Sequence, residues 1–374
     1  MKAVVRRAGA LVCTEVEDPV PGHGQALLAT LACGICGSDL HAHRFADRLA
    51  AAAAKAGRPP PIRPAADLVF GHEFCGRVLG YGPGVPAAPF APGARVIALP
   101  YATGPSGRET VGFSHRFPGG YGERVCVDAD MLMAAPDEID DVAAAMVEPL
   151  AVGAHAVAEA RLDADSVAMV IGCGPVGLAV ITALKARGFG PVVAADFSAA
   201  RRAAAERLGA DVVIDPATES PHERWPGLGL PRSIVERLAR QERGERVRTP
   251  VVFECVGAPG VLQSIIEGVA PGARVIVVGV CMEEDRFEPM TAINKQLSLR
   301  FVAAYSRAEF RQVLLDVAAG RIAPDALTAR AIAPEGAASA FEALARADGV
   351  KVTIVHAAGD GPRGAMTASP GSAA

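Results

Sequence analysis

Residues 166–184 read SVAMVIGCGPVGLAVITAL, and this stretch decides the fold. A β-branched apolar run, Val167–Ile171, leads into three glycines with G-x-G-x-x-G spacing, and a helical pattern begins near Pro175. The next apolar run ends in Asp196, about twenty residues further on. A strand, a glycine turn and a helix in this order bind the pyrophosphate of a dinucleotide at the helix N-terminus. The predicted cofactor-binding residues are Gly172, Gly174, Pro175, Val176, Gly177, Asp196 and Arg201.

Asp196 predicts which dinucleotide binds. Its carboxylate would accept hydrogen bonds from the adenosine ribose, whereas the 2′-phosphate of NADP would place a like charge beside it. Two charges about 4 Å apart cost about 1 kcal/mol in water and about 4 kcal/mol at an effective dielectric constant of about 20. Arg201 and Arg202 argue the other way, because an arginine could reach the adenosine end. We expect NAD.

The stretch from Ser166 to Leu184 contains no charged residue and has the length of a transmembrane helix. Its middle is interrupted by glycines and Pro175, so a buried strand, a turn and a buried helix explain it better.

Strand-like apolar runs alternate with helical patterns beyond this stretch, which predicts a doubly wound parallel sheet of the Rossmann type in an α/β protein. The runs are Val192–Ala195, Val212–Ile214, Val251–Cys255 and Arg274–Val280. A helix is predicted over Ser198–Leu208, with a serine cap and a stop at Gly209, and a surface helix around Ser233–Arg240. A further strand, Leu297–Ala304, precedes a helix near Ala308–Ala319.

The first 150 residues instead predict short strands with Gly/Pro turns, as in an antiparallel β-barrel. Ala26–Thr30, Phe74–Leu79 and Arg95–Leu99 are strand-like, and one helix is predicted from about Asp141 through Ala160. We expect a catalytic domain over residues 1–151, completed by 300–356, and a dinucleotide-binding domain over 152–299. Residues 357–374, rich in Gly, Ala, Ser and Pro, are predicted to be a disordered tail.

Three side chains predict a catalytic metal centre. Cys36 offers a thiolate, His72 an imidazole and Glu148 a carboxylate, which is a set that holds zinc and leaves one position open for water or substrate. Glu73, next to His72, is the competing carboxylate. We expect Pro149 to keep Glu148 in an extended backbone.

The neighbours of these ligands have expected roles as well. Cys33 is expected to be a small core residue, because no second C-x-x-C pair exists. Asp39 could accept a hydrogen bond from the His72 imidazole and fix its orientation. Ser38, beside the substrate oxygen, and His41, further out, are predicted to relay the proton to solvent. For His43 we expect a surface position.

Composition limits the partners. The chain has 374 residues and a net charge of −4, so it has no electrostatic footprint for nucleic acid or an acidic membrane surface. Eight scattered cysteines and an N-terminus without an apolar signal segment predict reduced thiols and a cytoplasmic protein.

These motifs resemble the zinc-dependent medium-chain dehydrogenase family of alcohol, threonine and sorbitol dehydrogenases. The resemblance covers residues 1 to about 356 and rests on GHEFCGRVLGYGPGV at 71–85 and EPLA at 148–151. It implies a GroES-like β-barrel catalytic domain and supports the zinc, relay and ribose roles given above. It also implies a homodimer or homotetramer joined through the edge strand at Arg274–Val280.

The chain departs from the family pattern in two places. Between Gly76 and Glu148 only Cys126 is a cysteine, so the four-cysteine site of many members is missing, and we expect one catalytic zinc per subunit and no structural zinc. The segment from Ala42 to Gly71 is longer than usual, with a helix-prone Arg48–Lys55 and a stiff Pro59–Pro61. By hypothesis it borders the substrate cleft.

The predicted activity is hydride transfer between a small alcohol or polyol, or its carbonyl product, and NAD. One alternative is a zinc-independent quinone or enoyl reductase with the same fold, which would have no need for Cys36 and His72. The other is a non-catalytic nucleotide-binding protein, which would need no proton relay.

Overall fold

The computed structural model describes residues 1–57, 60, 62–63, 65–85, 87–324, 327, 330–346 and 349–357. Pro59 and Pro61 of the predicted stiff segment, and all of the predicted tail after Ala357, lie outside the described residues.

The part of the chain that the structure describes folds into the strands and helices below, and each kind is numbered in chain order. The strands are β1 (Lys2–Arg7), β2 (Ala10–Glu15), β3 (Gln25–Gly34), β4 (Glu73–Tyr81), β5 (Arg95–Ala98), β6 (Tyr101–Gly104), β7 (Gly107–Thr110), β8 (Arg124–Asp128), β9 (Leu132–Ala134), β10 (Ser166–Ile171), β11 (Val192–Ala195), β12 (Val212–Ile214), β13 (Thr249–Glu254), β14 (Arg274–Val277), β15 (Ser298–Phe301), β16 (Arg330–Ile332) and β17 (Val352–Val355). The helices are α1 (Gly37–Arg44), α2 (Ala46–Lys55), α3 (Asp141–Ala145), α4 (Val147–Glu159), α5 (Pro175–Ala186), α6 (Ala199–Arg207), α7 (Ile234–Glu242), α8 (Val261–Gly268), α9 (Pro289–Asn294), α10 (Arg307–Ala318) and α11 (Ala337–Ala345).

Six strands form a parallel sheet in the order β12-β11-β10-β13-β14-β15. The central strands β10 and β13 are buried almost throughout, because side chains on both of their faces pack into hydrophobic cores. The predicted Rossmann sheet is confirmed. The uncharged stretch 166–184 is β10, a turn and α5. In the part of the chain that the structure describes, no helix is long and apolar enough to cross a membrane.

The predicted edge strand is wrong. Arg274–Val277 pairs with β13 on one side and with β15 on the other, so it lies inside the sheet. On this side, the sheet ends at β15, which is the neighbour of β14 and carries the exposed Phe301. β14 also ends at Val277, since the next two amides donate to the carbonyl oxygen of Glu254 and turn the chain away.

A second sheet is largely antiparallel and has the order β16-β17-β3-β4-β5-β9, with β8 also paired with β3. The long strand β3 lies at its centre and pairs with β4, β8 and β17. The predicted GroES-like barrel fold is confirmed. Strand β17, close to the C-terminal end of the described residues, packs directly against β3 from the N-terminal part of the chain.

The single helix predicted over 141–160 is in fact two helices, α3 and α4, which meet at Met146. The predicted extended backbone at Glu148 is also wrong, because Glu148 and Pro149 both lie in the first turn of α4. Proline is tolerated there since the first amides of a helix have no partner within it.

Candidate active site

One cavity of about 1300 Å³ brings the predicted metal and cofactor residues together. Cys36, His72 and Glu148 line it from one side, and Gly174 and Val278 line it from the strand ends of the parallel sheet. Ligands bind in parallel sheets at the carboxyl ends of the strands, so the cavity lies where the dinucleotide motif predicts it. It is large enough for a cofactor and a substrate together.

The metal-ligating side chains meet because two strands are neighbours. Gly34 at the end of β3 pairs with Glu73 at the start of β4, and because the strands are antiparallel, Cys36 and His72 both lie just beyond the same end of that pair. Among the described residues, one group of His, Cys, Asp or Glu side chains has the spacing of a metal site, namely Cys36, His72 and Glu73, whose ligand atoms lie within 4.8 Å of one another.

The surroundings of His72 favour positive charge. Burial lowers the pKa of His72, but the neighbouring Asp39 and Cys36 outweigh it and hold this pKa well above its usual value. A Zn²⁺ ion meets the same field, and thiolate, imidazole and carboxylate are the donors that it prefers. These residues therefore fit a zinc ion.

Asp39 is a buried hydrogen-bond acceptor next to the metal-ligating residues. It accepts hydrogen bonds from the Tyr121 hydroxyl at 2.7 Å and from the Cys36 backbone amide at 3.2 Å. Its other oxygen, Oδ1, lies 3.3 Å from His72 Nδ1, without the alignment of a hydrogen bond. The expected contact between Asp39 and His72 is present as a close charge pair that holds the ring in place.

Glu73 has a buried partner that the sequence analysis missed. Lys351 Nζ donates to Glu73 Oε1 at 2.6 Å, and both side chains are almost fully buried. A Cβ atom at Gly34 would lie 2.0 Å from Glu73 Oε2, so the carboxylate needs a glycine opposite it. The sequence signal for Lys351 is a lone lysine directly before the strand β17, because a lysine is rarely buried without a partner.

Glu148 lies in the same cavity but outside the compact group. Its Oε1 accepts a hydrogen bond from the Tyr305 hydroxyl at 2.7 Å, and Tyr305 also lines the cavity. Burial raises the pKa of Glu148 to about 7, while the nearby His72 acts in the opposite direction. Tyr305 was also missed, because it lies 157 residues from Glu148 and no local motif marks it.

The predicted relay residues lie on one helix. Ser38 and His41 both belong to α1, which begins directly after Cys36, and both line the cavity. Burial lowers the pKa of His41, and the charge of Arg44 lowers it further. His43 is not at the surface as expected. It is half-buried with its ring edge-on to Phe341 at 5.7 Å.

The glycine turn is as tight as its motif predicts. Gly172 has φ +90°, and a Cβ atom at Gly177 would lie 1.8 Å from the Gly172 carbonyl oxygen. Asp196 accepts hydrogen bonds from the backbone amides of Cys173 and Ser198, both at 2.7 Å, so it connects the turn with the start of α6.

The two arginines of α6 differ in position. Arg201 lines the cavity, with its Nε 3.4 Å from the Gly349 carbonyl oxygen. Arg202 donates to the Asp196 and Phe197 carbonyl oxygens and pairs with Asp215 at 2.9 Å. Its guanidinium is therefore engaged by the protein itself.

Comparisons with known proteins agree with this architecture. Residues 22–137 match the alcohol dehydrogenase GroES-like domain, and residues 175–319 match the zinc-binding dehydrogenase family. The (R,R)-butanediol dehydrogenase of Bacillus subtilis (strain 168) is 32% identical over 326 residues, which cover 85% of this chain and 88% of that protein. The chain belongs to the zinc-dependent medium-chain dehydrogenase family.

Further relatives of this dehydrogenase extend over nearly its whole length. The sorbitol dehydrogenase of Gallus gallus is 29% identical and covers 95% of this chain and 96% of its own. The crystal structure of 2R,3R-butanediol dehydrogenase from Bacillus subtilis has a TM-score of 0.74 at 28% identity, covering 95% of this chain and 99% of that one. A putative zinc-binding dehydrogenase from Sinorhizobium meliloti 1021, solved bound to NADP, has a TM-score of 0.77 at 26% identity over 95% and 99% of the two chains.

These relatives establish the coarse activity. The protein is a dehydrogenase of the CH–OH groups of small alcohols or polyols. The quinone or enoyl reductase and the non-catalytic nucleotide-binding protein are not favoured.

Proposed function

We propose that this dehydrogenase transfers a hydride between a secondary alcohol or polyol and NAD, at one catalytic zinc per subunit. The observation that carries the proposal is the group of Cys36, His72 and Glu73, whose ligand atoms lie within 4.8 Å of one another in the wall of the cavity lined by Gly174. Relatives that act on butanediol and sorbitol support a diol or polyol as substrate.

Zinc would be held by Cys36, His72 and a carboxylate. Glu73 belongs to the compact group, whereas Glu148 is hydrogen-bonded to Tyr305 across the cavity. We assign Glu73 as the third ligand and Glu148 as the acid that faces the open position. A zinc ion there supplies Lewis acidity, which lowers the pKa of an alcohol, and NAD supplies the hydride acceptor.

The side chains of α1 would manage the proton. The Ser38 hydroxyl, two residues beyond Cys36, is placed to accept the proton of the substrate hydroxyl, and His41 one helical turn further can carry it outward. Because burial and Arg44 lower the pKa of His41, its imidazole is neutral at physiological pH and can accept a proton.

The preference for NAD rests on Asp196. Its carboxylate lies beside the glycine turn, and Arg202, which could have compensated a 2′-phosphate, is engaged by Asp215. Arg201 remains in the cavity, where it can meet the pyrophosphate or the adenosine end. We therefore expect the kcat/KM for NAD to exceed that for NADP by more than about tenfold, because like charges repel at Asp196.

The proposal also includes the association of several copies of this chain. We propose a homodimer or homotetramer joined through β15, since apolar side chains remain exposed at this sheet edge and on the adjacent α9, namely Phe301, Met290 and Ile293.

Eight free cysteines support a cytoplasmic protein. We keep the proposed division into two domains but move the second boundary from 299 to 301, because β17 pairs with β3 whereas β10–β15 form their own sheet, which ends at Phe301.

The test is the zinc content of the purified protein together with NAD reduction over a panel of alcohols, diols, polyols and amino alcohols. We expect one zinc per chain and turnover of at least one diol or polyol. Glu73→Gln should lose zinc, whereas Glu148→Gln should keep zinc and lose turnover. Active protein without metal would refute the zinc centre, and loss of zinc from Glu148→Gln alone would reverse the assignment of the two carboxylates.

A further inference from the structure

We propose that Arg44 recognises an anionic group, a carboxylate or a phosphate, on the alcohol substrate. The inference rests on the proposed function, and it adds the substrate class: hydroxy acids or phosphorylated polyols rather than neutral alcohols. Arg44 itself carries neither the hydride nor the proton, although its charge lowers the pKa of the relay residue His41, so it is a positioning and specificity-determining residue.

Arg44 lies on the same wall as the predicted chemistry. It is the last residue of α1, the helix that starts after Cys36 and carries Ser38 and His41, and it lines the same cavity. Eight residues of helix separate Arg44 from Cys36, which is about 12 Å along the axis, and a helical side chain points back toward the N-terminus. A substrate of a few carbons can therefore span from the metal group to this guanidinium.

The guanidinium of Arg44 is held in place without being neutralised. Its central carbon lies 5.1 Å from the centre of the Phe45 ring, and Arg48 packs on the same ring at 5.3 Å. Arg48 is paired with Glu283 at 3.2 Å, whereas Arg44 makes no ion pair or side-chain hydrogen bond with any residue that the structure describes. An arginine oriented on an aromatic ring, with its donors free, suits the planar recognition of carboxylate or phosphate.

The acidic groups of the cavity leave this charge uncompensated. Glu73 is paired with Lys351, and Glu148 is hydrogen-bonded to Tyr305. Glu342 also lines the cavity but is not within ion-pair distance of Arg44. Among the described residues of the wall, the acidic side chains therefore leave the charge of Arg44 available to an anionic substrate group.

The experiment compares matched alcohols on the zinc-loaded full-length enzyme. The pairs are sorbitol with sorbitol 6-phosphate, sorbitol with gluconate, and 2,3-butanediol with 2,3-dihydroxybutanoate. We expect the anionic member of at least one pair to have the higher kcat/KM, and Arg44→Ala to lower the anionic-to-neutral ratio by about tenfold or more, mainly through KM. Arg44→Lys should restore part of the ratio. Arg207→Ala, which removes an exposed last-turn arginine from α6, is the matched control and should change nothing.

Two results would overturn the proposal. One is a neutral preference in every pair, or an equal effect of Arg44→Ala on both members. The other is a raised KM for NAD in Arg44→Ala with the neutral alcohols, which would assign the guanidinium to the cofactor pyrophosphate instead.

Calorimetric binding of sorbitol 6-phosphate, gluconate and 2,3-dihydroxybutanoate to wild type and Arg44→Ala tests the anion site without turnover. Weaker binding of any one of them to the variant supports the site, and equal or absent binding of all three refutes it. An enzyme that binds these anions through Arg44 but oxidises no alcohol would contradict the proposed function and leave the anion site standing.

Discussion

At the scale of single residues, Asp196 combines a structural role with the cofactor role that we propose for it. Its oxygens accept backbone hydrogen bonds from Cys173 and Ser198, so the residue already has a structural role without any ligand. Each carboxylate oxygen can accept more than one hydrogen bond, which leaves capacity for ribose hydroxyls. A substitution at Asp196 would therefore affect the turn geometry as well as cofactor choice.

The two cysteines of the C-x-x-C sequence give a matched test of the metal site. Cys36 belongs to the compact group, whereas Cys33 is fully buried and its Sγ donates a weak hydrogen bond to the Gly34 carbonyl oxygen at 3.7 Å. We expect Cys36→Ser to lose zinc and activity, because a serine hydroxyl is a poor zinc ligand. Cys33→Ser should keep zinc and lose about 1–2 kcal/mol of unfolding free energy, the cost of a buried hydroxyl. Zinc analysis by mass spectrometry is the measurement, and a full zinc complement in Cys36→Ser would contradict the assignment.

The candidate site could be predicted from sequence only where its motifs are local. Cys36, Ser38 and His41 share a short stretch, and His72 and Glu73 are adjacent, so their spacing suffices. Lys351 lies directly before β17 and Tyr305 lies in the chain after β15, far in sequence from Glu73 and Glu148, so only the packed structure shows their partners. Arg44 was missed because no motif marks a charged residue at the end of a short helix.

At the scale of elements, the glycine that precedes α5 and the glycine in its first turn have different roles. A Cβ atom at Gly177 would lie 1.8 Å from backbone oxygen, whereas at Gly174 the closest atom would be Arg201 Nη1 at 3.9 Å. We expect Gly177→Ala to lose about 3 kcal/mol of stability because the backbone cannot move aside. Gly174→Ala should fold normally yet bind NADH about tenfold more weakly, since the added methyl group obstructs the approach of the pyrophosphate. Thermal unfolding and NADH fluorescence titration separate the two effects, and normal stability of Gly177→Ala would refute this division.

The segment before α7 contains a histidine that should make stability depend on pH. Burial lowers the pKa of His222 to about 4, helped by Lys295, and its Nδ1 accepts a hydrogen bond from Trp225 Nε1 at 3.2 Å. In the unfolded chain a histidine has a pKa of about 6.5, so below that pH the unfolded state binds a proton that the folded state does not. Stability is therefore lost as the pH falls from about 6.5 toward about 4.

The test compares wild type with His222→Asn, whose side-chain oxygen can still accept from Trp225. Between about pH 7.5 and about pH 5, wild type should lose about 2 kcal/mol more unfolding free energy than the variant, as measured by urea denaturation. Other histidines affect both proteins alike, so the difference isolates His222. Equal losses in the two proteins would show that His222 is protonated in the folded state.

The element boundaries show where sequence patterns stop being sufficient. The cores of the strands β10, β11 and β12 follow from continuous apolar runs, which burial on both faces requires. The break at Met146 has a local signal, Pro149, which has no N–H to donate to the Ala145 carbonyl oxygen and whose ring would clash with it, so one continuous helix cannot run past Ala145. Strand order, in contrast, depends on which strands pair, and so the edge could not be assigned from the run Arg274–Val280 alone.

At the scale of the whole molecule, the exposed edge of the parallel sheet predicts association. Phe301 on β15 is 69% exposed, and an unpaired edge with apolar side chains favours a second copy of the chain. We expect wild type to elute at twice or four times the 38.4 kDa chain mass and Phe301→Asp to shift toward that mass. Val20→Asp, which changes a 78% exposed valine away from this edge, is the control. Light scattering after size exclusion is the measurement, and an unshifted Phe301→Asp would place the interface elsewhere.

The ion pair between Glu73 and Lys351 links positions 278 residues apart. During translation, Cys36, His72 and Glu73 leave the ribosome long before Lys351. The nascent chain therefore contains the proposed zinc ligands while Glu73 still lacks the positive charge of Lys351. The proposed metal site can therefore reach its final geometry only at the end of synthesis. Messenger truncated before codon 351 should yield protein that is deficient in zinc, however well its early segments fold.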